Sequence, residues 1–324
     1  MQHLLDQNPY IKELLALNDE FRDGRVFHDA AAPLLKKMGN DKEFIKEVVK
    51  RNFEDKSYLN QEWTLYNIPF FFIYETPDFN LKIHLFTPLE SKDTEQAASC
   101  IHHHNNYMLS SYAMHGSGYE SYLFEKQHQI DENELTVDMK IRKHFHQKDW
   151  PVSFVDAWEP HLVFNPTLLS ATLILWTPDK RRATDNLKQN PLLKAIKKPL
   201  RLIATKLGIA RSLGIASQKT YQFYPENGKI KAILEDDYFA PTRSAKGPDI
   251  DRYSIQTVFR YLQEGEYLDK EYLESKKSDL PDYYQPFITM YLTGQEIPET
   301  YAKAKINIPS EGFTKEEVLA AVNA

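Results

Sequence analysis

The chain of 324 residues is long enough for one large domain or two small ones. Apolar residues make up 42% of it and aromatic residues 13%, which supplies a sizeable core and excludes a wholly disordered protein. Lysine and arginine number 40 against 46 acidic residues, so the formal net charge of −6 argues against a nucleic-acid partner.

Cys100 is the only cysteine in the sequence. An internal disulfide and an all-cysteine zinc or iron–sulfur site are therefore excluded, and a reducing compartment, the cytoplasm, is expected. The first residues lack a basic start followed by an apolar run, and neither Ile68 to Tyr74 nor Leu168 to Trp176 approaches the roughly 20 apolar residues of a membrane span. We therefore expect neither a standard export signal nor a transmembrane segment.

Helices are predicted at both ends of the chain, with strands between them. Apolar residues recur at helical spacing before residue 58, and the same period returns after Asp251. In the middle, short runs of aromatic and β-branched residues alternate with turn residues, which is typical of a barrel or a sandwich. We predict an N-terminal helical segment at 1–58, a β-barrel at 59–240 and a C-terminal helical segment at 241–324.

The strand candidates are short and closely spaced. Phe79 to Phe86 alternates between apolar and polar residues, as a strand with one buried face should. Asn227-Gly228 separates the last two candidates, and this dipeptide accepts the positive φ angles of a type I′ hairpin turn. The other candidates are Ser99 to His104, Leu109 to Met114, Tyr119 to Lys126, Leu135 to His144, Pro151 to Val155, Ala171 to Trp176, Thr220 to Tyr224 and Lys229 to Leu234.

A basic amphipathic segment interrupts the predicted barrel at about residues 179–218. Lysines and arginines are interleaved there with leucines and isoleucines, and no acidic residue occurs between Asp185 and Glu226. Three interpretations are open: a helix packed on the barrel with solvated lysines, a lid over the barrel mouth, and a helix that docks on a membrane surface or a partner.

Consecutive histidines at positions 102 to 104 are the first candidate for chemistry. Alternate side chains of a strand share a face, so His102 and His104 lie together and His103 points to the other side. Two imidazoles placed in this way can chelate a metal ion, although histidine runs also occur by chance on surfaces. A second candidate is His161, with Asn165 four residues later at a boundary between strand and turn.

Between Trp63 and Leu234, short motifs follow one another in the order found in a known barrel family. They are Phe79-Asn-Leu81, Ile101-His-His-His104 with a turn at Gly116, His161-x-x-x-Asn165, Leu173 to Pro178 and Tyr221 to Gly228. In their order and spacing the chain resembles the cupins and, within them, the cysteine dioxygenase branch. The resemblance implies a cupin barrel, which is a double-stranded β-helix or jelly roll, flanked here by helical segments.

The resemblance also implies a metal site. Carried over position by position, it makes His102, His104 and His161 the ligands, and the glutamate that cupins usually add falls on Met108 or Leu109. Three neutral ligands leave about three open positions on an octahedral Fe(II), enough for a bidentate substrate and dioxygen. Fe(II) is the cofactor that the resemblance favours, while Zn, Mn, Ni and Cu also bind to histidines.

Several positions depart from the cysteine dioxygenase pattern. The family's serine, histidine and tyrosine fall on Thr172, Ile174 and Trp176, its cross-linking cysteine falls on Leu109, and no arginine for a substrate carboxylate stands near Phe70. We therefore expect no oxidation of free cysteine. The substitutions predict a more apolar substrate pocket, suited to a larger or less charged molecule.

Two further residues, His115 and Tyr107, are candidates for moving a proton or for orienting a ligand, with packing and turn formation as the alternative. His84 shares a predicted strand face with Lys82, which indicates a solvated face or a pocket rim.

The leading hypothesis is a mononuclear non-haem iron oxygenase that acts on a small organic substrate with O2. The alternatives are a non-redox cupin metalloenzyme, an isomerase or a lyase, and a metal-dependent ligand-binding protein.

Overall fold

The computed structural model describes residues 5–64, 68–89, 100–179, 220–301 and 313–323. Apart from Asp179, the predicted basic segment lies outside these residues. None of the described helices is long and apolar enough to cross a membrane.

Helices form the first part of the chain. They are α1 (Pro9–Glu20), α2 (Gly24–Asn40), α3 (Lys42–Glu54) and the short α4 (Lys56–Leu59). Each begins directly after an asparagine or aspartate whose side chain accepts a hydrogen bond from a backbone N–H of the first turn. Such caps satisfy donors that a helix leaves unpaired at its start.

The middle of the chain forms antiparallel strands. They are β1 (Phe70–Glu75), β2 (Asn80–Phe86), β3 (Tyr107–His115), β4 (Glu120–Phe124), β5 (Ile130–Asp131), β6 (Thr136–Val137), β7 (Ile141–His146), β8 (Val152–Val155), β9 (His161–Phe164), β10 (Ser170–Pro178), β11 (Tyr221–Glu226) and β12 (Lys229–Leu234). The largest sheet has the order β1-β2-β10-β3-β8. Two smaller sheets have the orders β7-β4-β9 and β11-β12-β6-β5.

Helices return after the last strand. They are α5 (Glu235–Ser244), α6 (Pro248–Gly265), α7 (Lys270–Lys276), α8 (Gln285–Thr293) and α9 (Lys315–Val322). One large hydrophobic cluster joins the N-terminal helices, one face of the five-stranded sheet, α6 and α8. A second cluster lies between α9 and the strands β4, β9, β11 and β12. Antiparallel sheets with helices at both ends confirm the predicted fold class in its architecture, a mainly β structure flanked by helical segments.

The hairpin between β11 and β12 agrees with the sequence. Glu226 pairs with Lys229, and the two residues between them, Asn227 and Gly228, have φ angles of 50° and 70°. Positive φ at both central positions is the signature of a type I′ turn, whose twist matches that of the strands it joins.

Two strand predictions are only partly right. The predicted strand from Ser99 to His104 is described from Cys100 onward, and in this described part only Ile101 and His102 pair, as isolated bridges to Phe223 and His161. Asn105 follows in a left-handed conformation with a φ of 52°, which turns the chain away before a longer ladder can form. The other predicted strand, Leu135 to His144, is divided between β6 and β7.

The register of the five-stranded sheet assigns alternate residues to an inner face, opposite the helices. Lys82 of β2 pairs with Ile174 of β10, and Ile174 pairs in turn with Ser111 of β3. Ser111 pairs with Ser153 of β8. These residues face the sheet β7-β4-β9, which contributes His161 at the start of β9, and a cavity lies between the two sheets.

Candidate metal centre

The three histidines of the predicted ligand set lie together at the cavity. The ring centres of His102 and His161 are 4.3 Å apart, those of His104 and His161 4.5 Å, and those of His102 and His104 5.1 Å. Each offers one nitrogen within 4.8 Å of the others. Nitrogens bound to one ion at about 2.0–2.1 Å lie roughly 3 Å apart in a facial arrangement, so shifts of an ångström or two suffice for coordination.

Backbone carbonyls fix the orientation of two of these rings. Nδ1 of His102 lies 3.0 Å from the Cys100 carbonyl oxygen, and Nδ1 of His161 lies 3.1 Å from that of Glu159. A carbonyl only accepts, so Nδ1 carries the proton in both rings and Nε2 keeps its lone pair. Metal-bound histidines commonly use their other nitrogen in this way, so the arrangement fits a metal ion.

His104 is held differently. Its ring packs against the Trp176 indole with 4.3 Å between the ring centres, and its buried Nδ1 has no hydrogen-bond partner in the described part of the chain. A buried polar atom without a partner is costly, because it has lost its hydration without replacement. A metal ion that binds the His104 ring through Nδ1 would remove this cost, which is a second reason why the site suits a metal.

All three imidazoles favour the neutral form. Burial lowers the pKa of His104 and His161 well below the ordinary value, and the neighbouring imidazoles lower it further. Burial also lowers the pKa of His102, although the Cys100 carbonyl and the charge of Glu235 oppose this change. Because only a neutral imidazole can bind a metal, the site is prepared for coordination at neutral pH.

The positions where cupins usually carry a glutamate hold apolar side chains here. Leu109 lines the cavity. Met108 is fully buried and its side chain points toward Gly24 of α2 instead. One carboxylate, that of Glu235 at the start of α5, does line the cavity. Its negative charge raises the pKa of His102 and of His103, against the larger effect of burial.

The cavity has a volume of about 520 Å³, enough for a small organic molecule. The three histidines contribute to its surface, and much of the remaining wall is apolar. The apolar side chains next to or opposite the histidines are Leu109, Phe145, Val155, Val163, Ile174 and Trp176.

Polar residues from β2, from the residue before β4 and from α6 interrupt this apolar wall. Lys82 and His84 come from β2, Tyr119 precedes β4, and Tyr253 comes from α6. The Tyr119 hydroxyl lies 3.4 Å from that of Ser111, and the Tyr253 hydroxyl 2.6 Å from that of Thr87. Sequence reasoning places His84 and Lys82 on a solvated or rim face, whereas nothing in the motifs marks Tyr119 or Tyr253.

Three of the four predicted pocket residues line the cavity: Leu109, Ile174 and Trp176. The fourth, Thr172, is fully buried and is not among the lining residues. Thr172 stands on the same face of β10 as Ile174 and Trp176, between its pairing partners His84 of β2 and Ala113 of β3.

The two residues predicted to relay protons lie away from the histidines. A bulge between β3 and β10 shifts the register, so His115 pairs with Ala171 on the face opposite the cavity. There its Nε2 lies 3.0 Å from a carboxylate oxygen of Glu264 in α6. Tyr107 is half exposed beyond Trp176, with 6.5 Å between the ring centres, and does not line the cavity. A catalytic role for His115 and Tyr107 stays a prediction that this placement does not favour.

His103 is not grouped with its two neighbours. Its ring packs against Trp158 with 5.2 Å between the centres, and its Nδ1 accepts a hydrogen bond from the backbone N–H of Asn105 at 3.3 Å. The alternation predicted for this stretch therefore selects the two histidines that lie beside His161, although only a short part of it pairs as a strand.

No protein-family model matches this chain, and no curated protein matches it. Among solved structures, it is similar to TT1209 from Thermus thermophilus, with 14% identity over 38% of this chain and 94% of that one, at a TM-score of 0.22. It is also similar to the capsular polysaccharide assembling protein CapF from Staphylococcus aureus, with 14% identity over 34% and 27% of the two chains and a TM-score of 0.21.

A third similarity is to oxalate decarboxylase from Bacillus subtilis, with 14% identity over 49% of this chain and 36% of that one, at a TM-score of 0.20. The chain thus spans less than two fifths of the length of CapF and of the decarboxylase. Scores of this size carry no argument about function. What the site can do therefore follows from its own geometry, which is that of a candidate metalloprotein.

Proposed function

We propose that the protein is a mononuclear non-haem iron oxygenase that oxidises a small organic substrate with O2. The observation that carries the proposal is the convergence of three neutral imidazoles, His102, His104 and His161, in a largely apolar cavity. Bound to them, Fe(II) would supply open coordination positions and the redox chemistry that O2 requires.

The protein's own part is orientation and the exclusion of water. Hydrogen bonds to the Cys100 and Glu159 carbonyls keep the Nε2 atoms of His102 and His161 unprotonated. Leu109, Ile174 and Trp176 place an apolar wall beside these atoms, which removes water from a reaction that water would divert.

Proton transfer to a bound substrate would fall to hydroxyl groups inside the cavity. The Tyr119 hydroxyl lies within reach of Ser111, and Ser111 lies 2.7 Å from Ser153 on the neighbouring strand. Burial raises the pKa of Tyr119, so this phenol keeps its proton at neutral pH and can donate a hydrogen bond to a bound substrate. These groups replace the serine, histidine and tyrosine set of cysteine dioxygenases.

The resemblance to the cysteine dioxygenase branch belongs to the proposal and is supported by sequence motifs alone. Among the described residues, no arginine lines the cavity. An arginine pairs with a carboxylate through two parallel hydrogen bonds, which no other side chain reproduces. We therefore do not expect free cysteine to be the substrate.

A non-redox metalloenzyme, an isomerase or a lyase, is the second candidate. The feature that favours it is Glu235, a carboxylate at the cavity that accepts a hydrogen bond from Asn105 at 3.3 Å. A carboxylate close to a bound metal could serve as a general base, while the metal polarises a carbonyl group. Three histidines suit Zn²⁺ for this purpose.

Metal analysis followed by oxygen uptake separates the candidates. The purified full-length chain is analysed for metals, loaded anaerobically with Fe(II), and tested in an oxygen electrode with a panel of organic acids, phenols and thiols. Stoichiometric iron with substrate-dependent uptake supports the oxygenase. Zinc or manganese without uptake supports the isomerase or lyase, and a failure to retain any metal contradicts both enzymes and leaves a metal-free ligand-binding protein.

Two alanine variants serve as a matched pair in this assay. His104→Ala removes a proposed ligand, whereas His103→Ala removes the neighbouring imidazole that packs on Trp158. Uptake that survives in His104→Ala but not in His103→Ala would contradict the proposed site.

A further inference from the structure

Lys82 is a basic side chain on the cavity wall. It stands on β2 between Phe72 of β1 and Ile174 of β10, and it lines the cavity together with the three histidines. Its ammonium nitrogen lies 4.5 Å from the centre of the Phe70 ring and 5.7 Å from that of Phe72. Aromatic faces attract a cation, but they are a weaker partner than a carboxylate.

Within the described residues, no carboxylate lies at ion-pair distance from the Lys82 ammonium. Glu75 of β1 attracts it only from further away. Glu235, the acid that lines the cavity, is already paired, since it lies 3.4 Å from Arg243 and accepts the hydrogen bond from Asn105. His84, the next residue on the same face of β2, adds no negative charge either.

A metal ion would increase the excess of positive charge. The ligand set of three neutral histidines compensates none of the charge of a divalent ion. The loaded cavity would then hold the ion and Lys82 against Glu235 alone. Buried charge of one sign is unfavourable until a counter-ion enters.

We propose that Lys82 binds a carboxylate group of the substrate, an organic acid whose apolar body contacts the aromatic and aliphatic walls of the cavity. The assignment rests on the cavity being the substrate site of the proposed function. It replaces the expectation from the sequence of a less charged substrate. A single ammonium group beside aromatic rings suits a carboxylate, whereas phosphate groups usually recruit several N–H donors.

The test compares two probes of nearly equal shape, phenylacetate and phenylacetamide, which differ in charge. Their dissociation constants for the full-length protein are measured by isothermal titration calorimetry, and the metal content of the same sample is determined. Wild type should bind the acid about tenfold or more tightly than the amide, as expected for one charge-assisted hydrogen bond. Lys82→Gln should remove the preference, and Lys82→Arg should keep most of it.

Lys143→Gln is the matched control. The Lys143 ammonium also lies over aromatic rings, 4.2 Å from the centre of Trp150 and 5.3 Å from that of Phe145, but Lys143 does not line the cavity. This variant should bind both probes like wild type. Circular dichroism and thermal melting establish that each variant is folded.

The variant His104→Ala separates the inference from the proposed function, because a carboxylate could also bind a metal directly. If Lys82 holds the acid, the preference persists in His104→Ala whatever its metal content. If the preference for the acid over the amide is lost in His104→Ala but persists in Lys82→Gln, the acid binds to the metal. This result overturns the inference. Equal affinities of wild type for the two probes, or no binding of the acid, also overturn it. A persistent preference in a protein that never binds metal contradicts the proposed function alone.

Discussion

His102 and His161 are joined through their backbones. The N–H of His102 donates to the carbonyl of His161 at 2.9 Å, and the N–H of His161 donates to the carbonyl of His102 at 2.8 Å. Residues that exchange both hydrogen bonds in an antiparallel pair project their side chains to the same side. The separation of the two imidazoles is therefore set by backbone pairing between distant parts of the chain.

Metal binding should depend on three histidines and not on the fourth one beside them. We expect His102→Ala, His104→Ala and His161→Ala each to lose most of the bound metal, because each removes one converging nitrogen. His103→Ala should retain it, since this ring packs against Trp158. Elemental analysis of the four purified variants checks the expectation, and comparable losses in all four would show that His103 is a ligand too.

Trp176 should report on occupancy of the site by its fluorescence. Its ring centre lies 4.3 Å from that of His104, so a bound Cu²⁺ or Co²⁺ would quench the emission of this indole strongly. We expect quenching on titration with either ion, and a much smaller effect in Trp176→Phe. Trp150→Phe is the control, because Trp150 is exposed and does not line the cavity. Quenching that is unchanged in Trp176→Phe would place the bound ion elsewhere.

Two glycines with positive φ should differ in their tolerance of a methyl group. Gly228, at φ 70°, has no atom within 4 Å of the position that a Cβ would take, so Gly228→Ala should lower the free energy of unfolding by about 1–2 kcal/mol through backbone strain alone. At Gly116, with φ 80°, a Cβ would overlap the carbonyl oxygen of Leu169. Gly116→Ala should therefore lower it by about 2–5 kcal/mol. Urea unfolding of both variants makes the comparison, and equal losses would contradict it.

Acid should destabilise the fold partly through His84. Burial, helped by the positive charge of Lys82, lowers the pKa of this imidazole to about 3, against about 6.5 in the unfolded chain. Below pH 6.5 the unfolded chain therefore binds a proton that the folded chain does not, so this contribution to stability is complete above pH 6.5 and is lost as the pH falls toward 3.

His84→Gln should flatten this dependence. Between pH 6.5 and 4 the free energy of unfolding of the variant should fall less steeply than that of wild type, by up to about 1.4 kcal/mol per pH unit. His146→Gln, which changes an imidazole outside the cavity, is the control. Urea unfolding at several pH values supplies the slopes, and parallel curves for His84→Gln and wild type would refute the assignment.

Local patterns predict those parts of the structure that depend on neighbours in sequence. Alternation along the chain selects His102 and His104, and the Asn227-Gly228 pair predicts its turn. His115 lies away from the cavity because a single bulge in β3 reverses the alternation after Ala113. A bulge leaves no reliable mark in one sequence, since it depends on how two strands pair.

The polar wall of the cavity could not be predicted for a different reason. Lys82 is visible as a strand residue, but its lack of a carboxylate partner among the described residues depends on every element around it. Tyr253 reaches the cavity from α6, and Glu235 from the first turn of α5. Their participation is decided by the packing of helices against sheets, which no motif near the histidines encodes.

The helix α9 shares one hydrophobic cluster with the residues next to two of the histidines. Val318 and Ala321 belong to the same cluster as Ile101, which precedes His102, and Leu162, which follows His161. During synthesis, α9 leaves the ribosome after every other described element, so the support behind these histidines is completed last. A nascent chain stalled before α9 would lack this hydrophobic support, so His102 and His161 would be held less firmly beside each other.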